Sequence, residues 1–409
     1  MKKKYSLFSH CIVTPGKVVE NSYLNITAKK ITSLSSKSEN KEIINLEDKI
    51  IFPALVDAHD HLFGTYYPKI GAKGGKYQNW KPWDDDLKSS PVYAERSKIP
   101  PTDIYELGVY KHIISGCLTV SDHMPHEVAD KFIKDLPIRV QKKYALAHEA
   151  SSFDLRWGDG IVVEHTKALK ENIPFITHIE EGFDEESKKG IDILLLLKAL
   201  SDHTVLIHGL GLSKADIKAI AQKKAHLVWC PGSNYFMFKL TGDVKNWIKA
   251  GINVSLGTDS PASGELNLLY EMKFAKKLYK KIYKEEISDK TLVEMVTINP
   301  AKALRLDKEV GSLEKGKIAD FIAISGNPQK PYSSLVKADF KDIDLVVYEG
   351  RPMYGSVEHE DLFKKFDIPY NKVKIAGTKK IINGDPKALM KRIRKYVGFK
   401  KEIPFLPVE

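Results

Sequence analysis

The fold of this 409-residue chain is decided by five consecutive segments that begin with IPFITHIEEG (173–182). The segments that follow are GIDILLLLKALSD (190–202), TVLIHGLG (204–211), LSKADIKAIAQKKA (212–225) and HLVWC (226–230). The first, third and fifth are short apolar runs typical of buried strands, whereas the second and fourth have the length and apolar spacing of helices. Strands that alternate with helices in this way predict parallel βαβ units.

Both ends of the chain have a different pattern, with short β-like runs separated by turn residues. The N-terminal runs include YSLFSHCIVT (5–14) and EIINLEDKIIF (42–52), and the C-terminal ones include DIDLVVYEGRPMYG (342–355). We predict that the two ends pair into one small sheet domain that flanks a central (β/α) barrel. The predicted division is residues 1–52 with 306–360 for the sheet domain, 53–305 for the barrel and 361–409 for a basic C-terminal extension.

Composition excludes some classes of protein. No run of about eighteen apolar residues exists, so a membrane span is not expected. The opening MKKKYSLFSHCIV is charged like a signal peptide, but Ser and His interrupt its apolar stretch, and we interpret it as a strand. Three scattered cysteines without a CxxC fit a reducing compartment, which predicts a cytoplasmic protein.

The net charge of +11 is concentrated near the C-terminus. Residues 361–409 contain 13 Lys+Arg and 5 Asp+Glu, so most of the excess lies in this extension. Within it GDPKALMKRIRKYVGF (384–399) predicts a helix with Asp385 as N-cap and Leu389 and Ile393 on its apolar face. We interpret it as an amphipathic helix docked on the body, and a nucleic-acid or membrane patch is the alternative.

Potential metal ligands follow several of the predicted strands. The stretch VDAHDHL (56–62) places His59 and His61 two residues apart, on the same face if this segment is a strand. Three later strand-like runs also end in potential ligands, namely His178, His208 and Asp259. In a (β/α)8 barrel the functional groups come from the C-terminal ends of different strands, so these side chains are expected to meet at one mouth. Nitrogen and carboxylate donors suit Zn²⁺ or Fe²⁺.

The motifs DAHDH, THIEE, LIHG and LGTDS, followed by TINPAKAL and GSLEKGKIADFIAI, resemble those of the amidohydrolase superfamily. The likeness is to its mononuclear branch, which contains cytosine, guanine and S-adenosylhomocysteine deaminases and triazine chlorohydrolases, and it covers about residues 1–355. The resemblance implies an α/β fold, a distorted (β/α)8 TIM barrel with a small β-sandwich domain formed by both chain ends.

The resemblance also implies roles for individual residues. By position, His59, His61, His178 and Asp259 would bind one divalent metal ion, zinc in the first place and iron(II) as the alternative. Glu181, three residues after His178, would be the proton shuttle, and His208 would contact the attacking water or the substrate. Asp259 would both bind the metal and orient the nucleophile.

Each of these residues also has a structural interpretation. His59 and His61 could be hydrogen-bonded core histidines, Asp259 in TDSP could belong to a turn, and His208 before a glycine could lie in a loop. Between the two glutamates after His178, the family spacing favours Glu181, whereas strict strand alternation would place Glu180 on the ligand face.

Substrate contacts are predicted from loops around the barrel mouth. The Gly-rich aromatic stretch 64–90 is typical of a loop that covers an active site. Its Trp80 and Trp83 could stack on a planar ligand, and packing within a lid or a subunit interface is an equal alternative. Asn234 in WCPGSN and His123 in TVSDHM are further candidates for the pocket, although a hydrogen-bonded core histidine is the favoured interpretation of His123. The family's proline-and-histidine segment on strand four has no match here, and His148, Arg156 and Trp157 are candidates to replace it.

The sequence therefore predicts a metal-dependent hydrolase that acts on carbon–nitrogen bonds other than peptide bonds. The expected reaction is deamination of a small nitrogen heterocycle by a metal-activated water. The first alternative is ring opening of a cyclic amide, of the imidazolonepropionase type. The second, from another class, is a non-catalytic binding protein that uses the basic tail. We expect a small-molecule substrate and a homodimer, with no membrane or nucleic-acid partner.

Overall fold

The computed structural model describes residues 3–71 and 76–409. Its strands are β1 (Lys4–Thr14), β2 (Lys17–Thr27), β3 (Lys30–Ser35), β4 (Ile43–Asn45), β5 (Ile50–Pro53), β6 (Leu55–Asp60), β7 (Cys117–Asp122), β8 (Arg139–Val140), β9 (Ala145–Glu149), β10 (Phe175–Ile179), β11 (Thr204–His208), β12 (His226–Trp229), β13 (Asn253–Leu256), β14 (Phe321–Ile324), β15 (Ile343–Tyr348), β16 (Arg351–Ser356), β17 (Asn371–Ile375) and β18 (Thr378–Ile382). Its α-helices are α1 (Trp80–Ser89), α2 (Pro91–Arg96), α3 (Pro101–Ile113), α4 (His126–Ile133), α5 (Ile161–Glu171), α6 (Gly190–Leu196), α7 (Lys214–Lys223), α8 (Pro231–Phe238), α9 (Val244–Lys249), α10 (Leu268–Tyr283), α11 (Asp289–Glu294), α12 (Ile298–Ala303), α13 (Pro331–Lys337), α14 (Glu360–Lys365) and α15 (Pro386–Val397).

Eight strands, β6 to β13, form two parallel sheets in the middle of the chain. One sheet has the order β6-β7-β8 and the other β13-β12-β11-β10-β9. Helices connect most of these strands, as expected for parallel strands, which need long crossovers. Every residue of β7, β9, β10 and β11 is buried, which is typical of parallel strands covered on both faces. The predicted α/β architecture with parallel βαβ units is confirmed.

The two parallel sheets meet where β6 and β13 end. A parallel bridge joins Asp60 to Asp259, the backbone N–H of Asp259 donates to the carbonyl of His59 at 2.9 Å, and the N–H of His61 donates to the carbonyl of Asp259 at 2.7 Å. These bonds tie the first and last strands of the series together. The C-terminal ends of β6 and β13 therefore lie side by side.

A third sheet of ten strands is built from both ends of the chain. Its order is β17-β18-β16-β15-β14-β5-β1-β2-β3, with β4 paired to β1. The N-terminal and C-terminal parts meet where β5 pairs with β14 in antiparallel orientation. The prediction that both chain ends pair into one sheet is thus confirmed, and β1 is the strand predicted at the signal-like N-terminus.

The predicted C-terminal helix is α15. The Asp385 carboxylate accepts a hydrogen bond from the N–H of Ala388 at 2.9 Å, and Pro386 occupies the first turn. Leu389 and Ile393 are fully buried, and Gly398 ends the helix in the left-handed conformation, with φ of 87°. Across the part of the chain that is described, no helix is long and apolar enough to cross a membrane.

Candidate metal centre and active site

The ends of β6 and β13 bring two imidazoles and a carboxylate together. His59 is the next-to-last residue of β6 and is fully buried, and His61 follows the strand, with its ring centroid 4.7 Å from that of His59. Oδ1 of Asp259 lies 3.7 Å from Nε2 of His59 and 3.5 Å from Nε2 of His61. One donor atom from each residue lies within 4.8 Å of the others, so a single ion can reach all three.

A third imidazole comes from β10. The Nδ1–H of His178 donates to the carbonyl of His148 at 2.7 Å, which leaves Nε2 available as a ligand. The His178 ring lies 5.1 Å from the ring of His59 and lines the same cavity as His61 and Asp259. The structure therefore brings together all four residues for which the resemblance implies metal binding.

Hydrogen bonding around these residues fits a bound cation. Both ring nitrogens of His59 lack a hydrogen-bond partner among the described residues, although the side chain is fully buried. Such a buried polar group is costly unless something satisfies it. Three imidazoles and one carboxylate form a donor set that suits Zn²⁺ or Fe²⁺.

The ionisation states also favour metal binding. Burial, together with the neighbouring His59, lowers the pKa of His61 to about 4, so its imidazole is neutral at neutral pH. Burial alone would raise the pKa of Asp259, but the adjacent imidazoles of His59 and His61 lower it below its usual range. Neutral imidazole and ionised carboxylate are the forms that coordinate metals.

Backbone conformation is unusual at three of the strand ends. His208 has φ of 77°, Asp259 has φ of 60° and Glu180 has φ of 48°. This left-handed conformation costs a non-glycine residue roughly 1–3 kcal/mol of conformational free energy, and residues strained in this way are often found at functional sites. The strained backbone supports a functional role for the ends of β10, β11 and β13.

Glu181 and His208 face each other across the cavity. Oε1 of Glu181 lies 3.5 Å from Nε2 of His208, whose Nδ1–H donates to Oδ1 of Asn234 at 2.8 Å. Burial and the charge of Asp259 raise the pKa of Glu181 well above its usual value. Glu180 turns away from this pair, because its carboxylate accepts from the N–H of Ile191 at 3.2 Å.

A cavity of about 340 Å³ opens above these groups, within the roughly 300–1,000 Å³ typical of small-molecule pockets. Both predicted tryptophans line it. The indole N–H of Trp80 donates to Glu149 at 2.8 Å, and that of Trp83 donates to the carbonyl of Ile70 at 2.7 Å. Residues 72–75 of the predicted covering loop lie outside the described residues, and its second half forms α1.

Two other predicted substrate contacts lie behind the cavity wall. Asn234 is buried and bonded to His208, so it orients that imidazole. His123 is fully buried, with its ring 4.6 Å from that of His178 and 5.5 Å from that of Trp157. Neither side chain is among the described residues that line the cavity.

The fourth strand of the parallel series that begins with β6 is β9, which ends in His148 and Glu149. His148 and Trp157 line the cavity, with their ring centroids 4.7 Å apart in an edge-to-face contact, whereas Arg156 is exposed. Two of the three candidates to replace the family's strand-four segment therefore reach the site.

Several supporting residues had no signal in the sequence. Asp60 is held by Nζ of Lys111 at 2.6 Å and by Nε2 of His112 at 2.7 Å, all of them fully buried. The hydroxyl of Ser233 donates to Oδ2 of Asp259 at 2.6 Å. Lys111 and His112 lie in a helix more than fifty residues from the motif that they support, and only the folded chain shows this contact.

Parallel strands whose C-terminal ends supply imidazoles and a carboxylate to one cavity define a metal-dependent hydrolase. A sequence profile of the amidohydrolase family matches residues 159–353. A 5-methylthioadenosine/S-adenosylhomocysteine deaminase from Caldanaerobacter subterraneus subsp. tengcongensis is 31% identical over 387 residues, 80% of this chain and 86% of that protein. A protein of the same name from Thermoanaerobacter pseudethanolicus is 30% identical over 242 residues, 57% of this chain but only 51% of its own length.

Among solved structures, a zinc-bound adenosine deaminase from Xanthomonas campestris has the same fold. The TM-score is 0.76 at 17% identity, over 96% of this chain and 97% of that one. The chain belongs to the amidohydrolase family and is a hydrolase that acts on carbon–nitrogen bonds other than peptide bonds. The predicted deaminase-type hydrolase is confirmed at the level of family and reaction class.

Proposed function

We propose that this protein is a hydrolytic deaminase of an aminopurine nucleoside of the adenosine type. The observation that carries the proposal is the pairing of Glu181 with His208 at 3.5 Å in the same cavity as His61, His178 and Asp259. A proton-transfer group beside a metal-binding set is what hydrolysis at an amino-bearing ring carbon requires. The names of the relatives, which are adenosine-type deaminases, support the choice of ring.

We propose that one divalent ion, zinc in preference to iron(II), is held by His59, His61, His178 and Asp259. When bound, the ion would supply the acidity that makes water a nucleophile at neutral pH. The unpartnered nitrogens of His59 and the free Nε2 of His178 support this assignment.

The remaining steps belong to the side chains around the cavity. Glu181 accepts a proton from the attacking water and passes it to the ring nitrogen next to the reacting carbon. The second proton of the water leaves with the amino group as ammonia, and the ring carbon keeps the oxygen as a carbonyl. His208, whose orientation is fixed by Asn234, stabilises the charge that develops on this oxygen.

We propose that Trp80, Trp83 and Trp157 hold the planar ring. Trp80 is fixed by its bond to Glu149, and Trp157 packs edge-on against His148, so two walls of the cavity are rigid aromatic surfaces. Aromatic side chains of this kind bind planar heterocycles by offset stacking or edge contacts.

The finer architecture is also part of the proposal. We propose that β6 to β13 form one distorted (β/α)8 barrel, with the bridge between Asp60 and Asp259 closing one side. The division into a β-sandwich domain (1–52 with 306–360), a barrel (53–305) and a C-terminal extension (361–409) is kept as a proposal. A homodimer in the cytoplasm without nucleic-acid or membrane partners completes it.

The test is ammonia release by protein loaded with zinc or iron(II), assayed against a panel of aminopurine nucleosides, pterins and pyrimidines. We expect ammonia and the corresponding oxo product from at least one adenosine-type nucleoside. Ring-opened products are scored in parallel, since a cyclic-amide hydrolase would give these without ammonia. Cyclic amides are added to the panel for this purpose, and their turnover with no ammonia from any aminopurine nucleoside would reject the proposal in favour of ring opening.

A further inference from the structure

One arginine lines the active-site cavity without a counter-ion. Arg96, the last residue of α2, is 8% exposed. Its Nε and Nη2 donate to the carbonyl of Phe63 at 3.3 and 3.0 Å, and its guanidinium carbon lies 3.6 Å from the centroid of the Phe63 ring. The side chain is therefore held in a defined orientation at the cavity wall.

Within the described part of the chain, no carboxylate lies within 4 Å of Arg96. The other cations near the site are paired, because Lys88 contacts Asp84 at 2.6 Å and Lys111 contacts Asp60 at 2.6 Å. A buried charge that is not paired destabilises the fold. The fold tolerates this cost at Arg96, in the cavity where the substrate is expected to bind.

The geometry points to Arg96 as the site that binds an anionic oxygen group of the substrate, a carboxylate or a phosphate. This inference rests on the proposed function and adds a substrate class to it. Two of the five guanidinium N–H groups serve the Phe63 carbonyl, which leaves three for a ligand. A planar guanidinium binds carboxylate and phosphate oxygens through paired, charge-assisted hydrogen bonds.

The surroundings of Arg96 suit such a group. Tyr67 and Tyr93 also line the cavity and interact electrostatically with Arg96, and their rings are stacked 6.2 Å apart and nearly parallel. Phenol hydroxyls can donate to an anion. The acidic residues Glu181 and Asp259 belong to the metal centre, and Asp84 is neutralised by Lys88. Arg96 is thus a cation of the cavity lining that has no carboxylate partner among the described residues, and it favours a substrate that carries a negative group.

The test compares adenosine, adenosine 5′-carboxylic acid and adenosine 5′-monophosphate as substrates of the metal-loaded enzyme. We expect kcat/KM for one of the two anionic compounds to exceed that for adenosine at least tenfold, and the better one identifies the group. Arg96→Met should reduce the ratio of kcat/KM for the better anionic compound to that for adenosine at least tenfold, mainly through KM. Arg96→Lys should reduce it less, because lysine keeps the positive charge but lacks the paired N–H donors of a guanidinium. Lys98→Met, an exposed cation two residues away, should leave the ratio unchanged.

Direct binding separates this inference from the proposed function. Equilibrium dialysis with the same three compounds measures affinity even if none releases ammonia. Tighter binding of an anionic compound that is lost in Arg96→Met supports the inference even when the deaminase proposal fails. The inference is overturned if all three compounds bind with equal affinity, or if Arg96→Met and Arg96→Lys leave the selectivity ratio unchanged. Arg96 would then have only a structural role, through its contacts with Phe63. If Arg96→Met does not fold, as judged by thermal unfolding and metal content, the ratio in Arg96→Lys decides.

Discussion

One oxygen of the Asp259 carboxylate faces the proposed metal ligands, and the other is hydrogen-bonded to the protein. Oδ1 faces His59 and His61, while Oδ2 accepts hydrogen bonds from the hydroxyls of Ser233 at 2.6 Å and Ser263 at 3.0 Å. These hydroxyls fix the direction of the free oxygen. Partners of metal ligands are typically worth 10–100-fold in metal affinity.

We therefore expect Ser233→Ala to weaken zinc binding about 10-fold or more. Competition with a chromophoric chelator measures the change. Ser255→Ala is the matched control, because Ser255 is also buried near the end of β13 but its hydroxyl has no hydrogen-bond partner among the described residues. Equal zinc affinity in the two variants would show that Ser233 does not support Asp259.

Glu181 and its neighbour Glu180 give a second matched pair. Glu181→Gln keeps the shape but removes the proton acceptor, so kcat is expected to fall by about 10²–10⁴ while zinc content stays constant. Glu180→Gln should keep kcat within about threefold, because the amide oxygen can still accept from Ile191. A larger loss in Glu180→Gln than in Glu181→Gln, measured by ammonia release, would reverse the assignment of the shuttle.

At the level of single residues, the sequence predicts the candidate metal ligands better than it predicts the other residues of the cavity. The proposed ligands His59, His61, His178 and Asp259 could be selected from the sequence because each lies at or just after the end of an apolar strand, and parallel strands end at one edge. Arg96 could not be found in this way. It lies in the short helix α2, just after the predicted covering stretch, and its lack of a carboxylate partner among the described residues is a property of the folded cavity.

At the level of elements, the C-terminal segment braces the helix that carries Arg96. Nζ of Lys401 lies 2.7 Å from Glu95, and the hydroxyl of Tyr66 donates to the same carboxylate at 2.8 Å. The ammonium group also lies 4.9 Å from the Tyr66 ring centroid. The extension therefore contacts α2 through Glu95, and this contact helps to position the helix that supplies Arg96 to the cavity lining.

A double-mutant cycle with Glu95→Gln and Lys401→Met measures this brace. Both side chains are less than a fifth exposed, so we expect a coupling in the free energy of unfolding of about 0.5–1 kcal/mol, at the upper end for surface pairs. Urea unfolding of the four proteins gives the value. Additive effects of the two substitutions would show that the contact does not stabilise the fold.

The same contact predicts a dependence of stability on pH. Burial alone would raise the pKa of Glu95, but its hydrogen bonds with Lys401 and Tyr66 outweigh burial and lower it. A carboxyl whose pKa is lowered in the folded state stabilises it above the unfolded pKa of about 4.3 and loses this effect as the pH falls through the folded pKa. Wild type should therefore exceed Glu95→Gln in stability at pH 7, and the difference should shrink below about pH 4. A difference that grows on acidification would contradict this.

The elements themselves were predictable where the apolar pattern was strong. The alternation from IPFITHIEEG to HLVWC gives β10, α6, β11, α7 and β12, and the capped amphipathic pattern gives α15. Strand β9 was missed. Its sequence ALAHE has only three apolar residues and ends in His148 and Glu149, which serve the site and interrupt the apolar run.

At the scale of the whole molecule, the ten-stranded sheet joins regions more than 300 residues apart. Pairing of the two chain ends was predicted from their shared β-rich pattern. The participation of β17 and β18 was not, because KVKIAGTKKIING is rich in lysine and resembles an exposed segment. Ile381 is nevertheless fully buried, and Lys380 donates to the carbonyl of Ile343 at 2.5 Å. Which side chains of such a segment are buried depends on its pairing register with the neighbouring strand, and this register is visible only in the folded structure.

This arrangement predicts what removal of residues 361–409 would do. Phe363, Ile381, Leu389 and Ile393 are fully buried, and burying each such side chain contributes about 1.5–3 kcal/mol. Their joint contribution of roughly 6–12 kcal/mol is comparable to the whole stability of an ordinary protein, about 5–15 kcal/mol. The deletion is therefore expected to give insoluble or unfolded protein, which gel filtration and circular dichroism would detect.

The basic charge of the extension must be tested without disturbing this core. Lys387, Lys391 and Lys395 are exposed on α15, so their triple replacement by Gln removes three charges and leaves the apolar face intact. We expect the triple variant to keep the unfolding midpoint and the ammonia-releasing activity of the wild type, since none of the three lines the catalytic cavity. If the extension instead bound nucleic acid, the wild type would bind RNA or DNA with an affinity that depends strongly on salt. The triple variant would then lose about three phosphate contacts, and the slope of log K against log salt would become less steep by about three. A soluble, active deletion at residue 360 would refute the structural role of the extension, because the barrel and the sheet would then be stable without it.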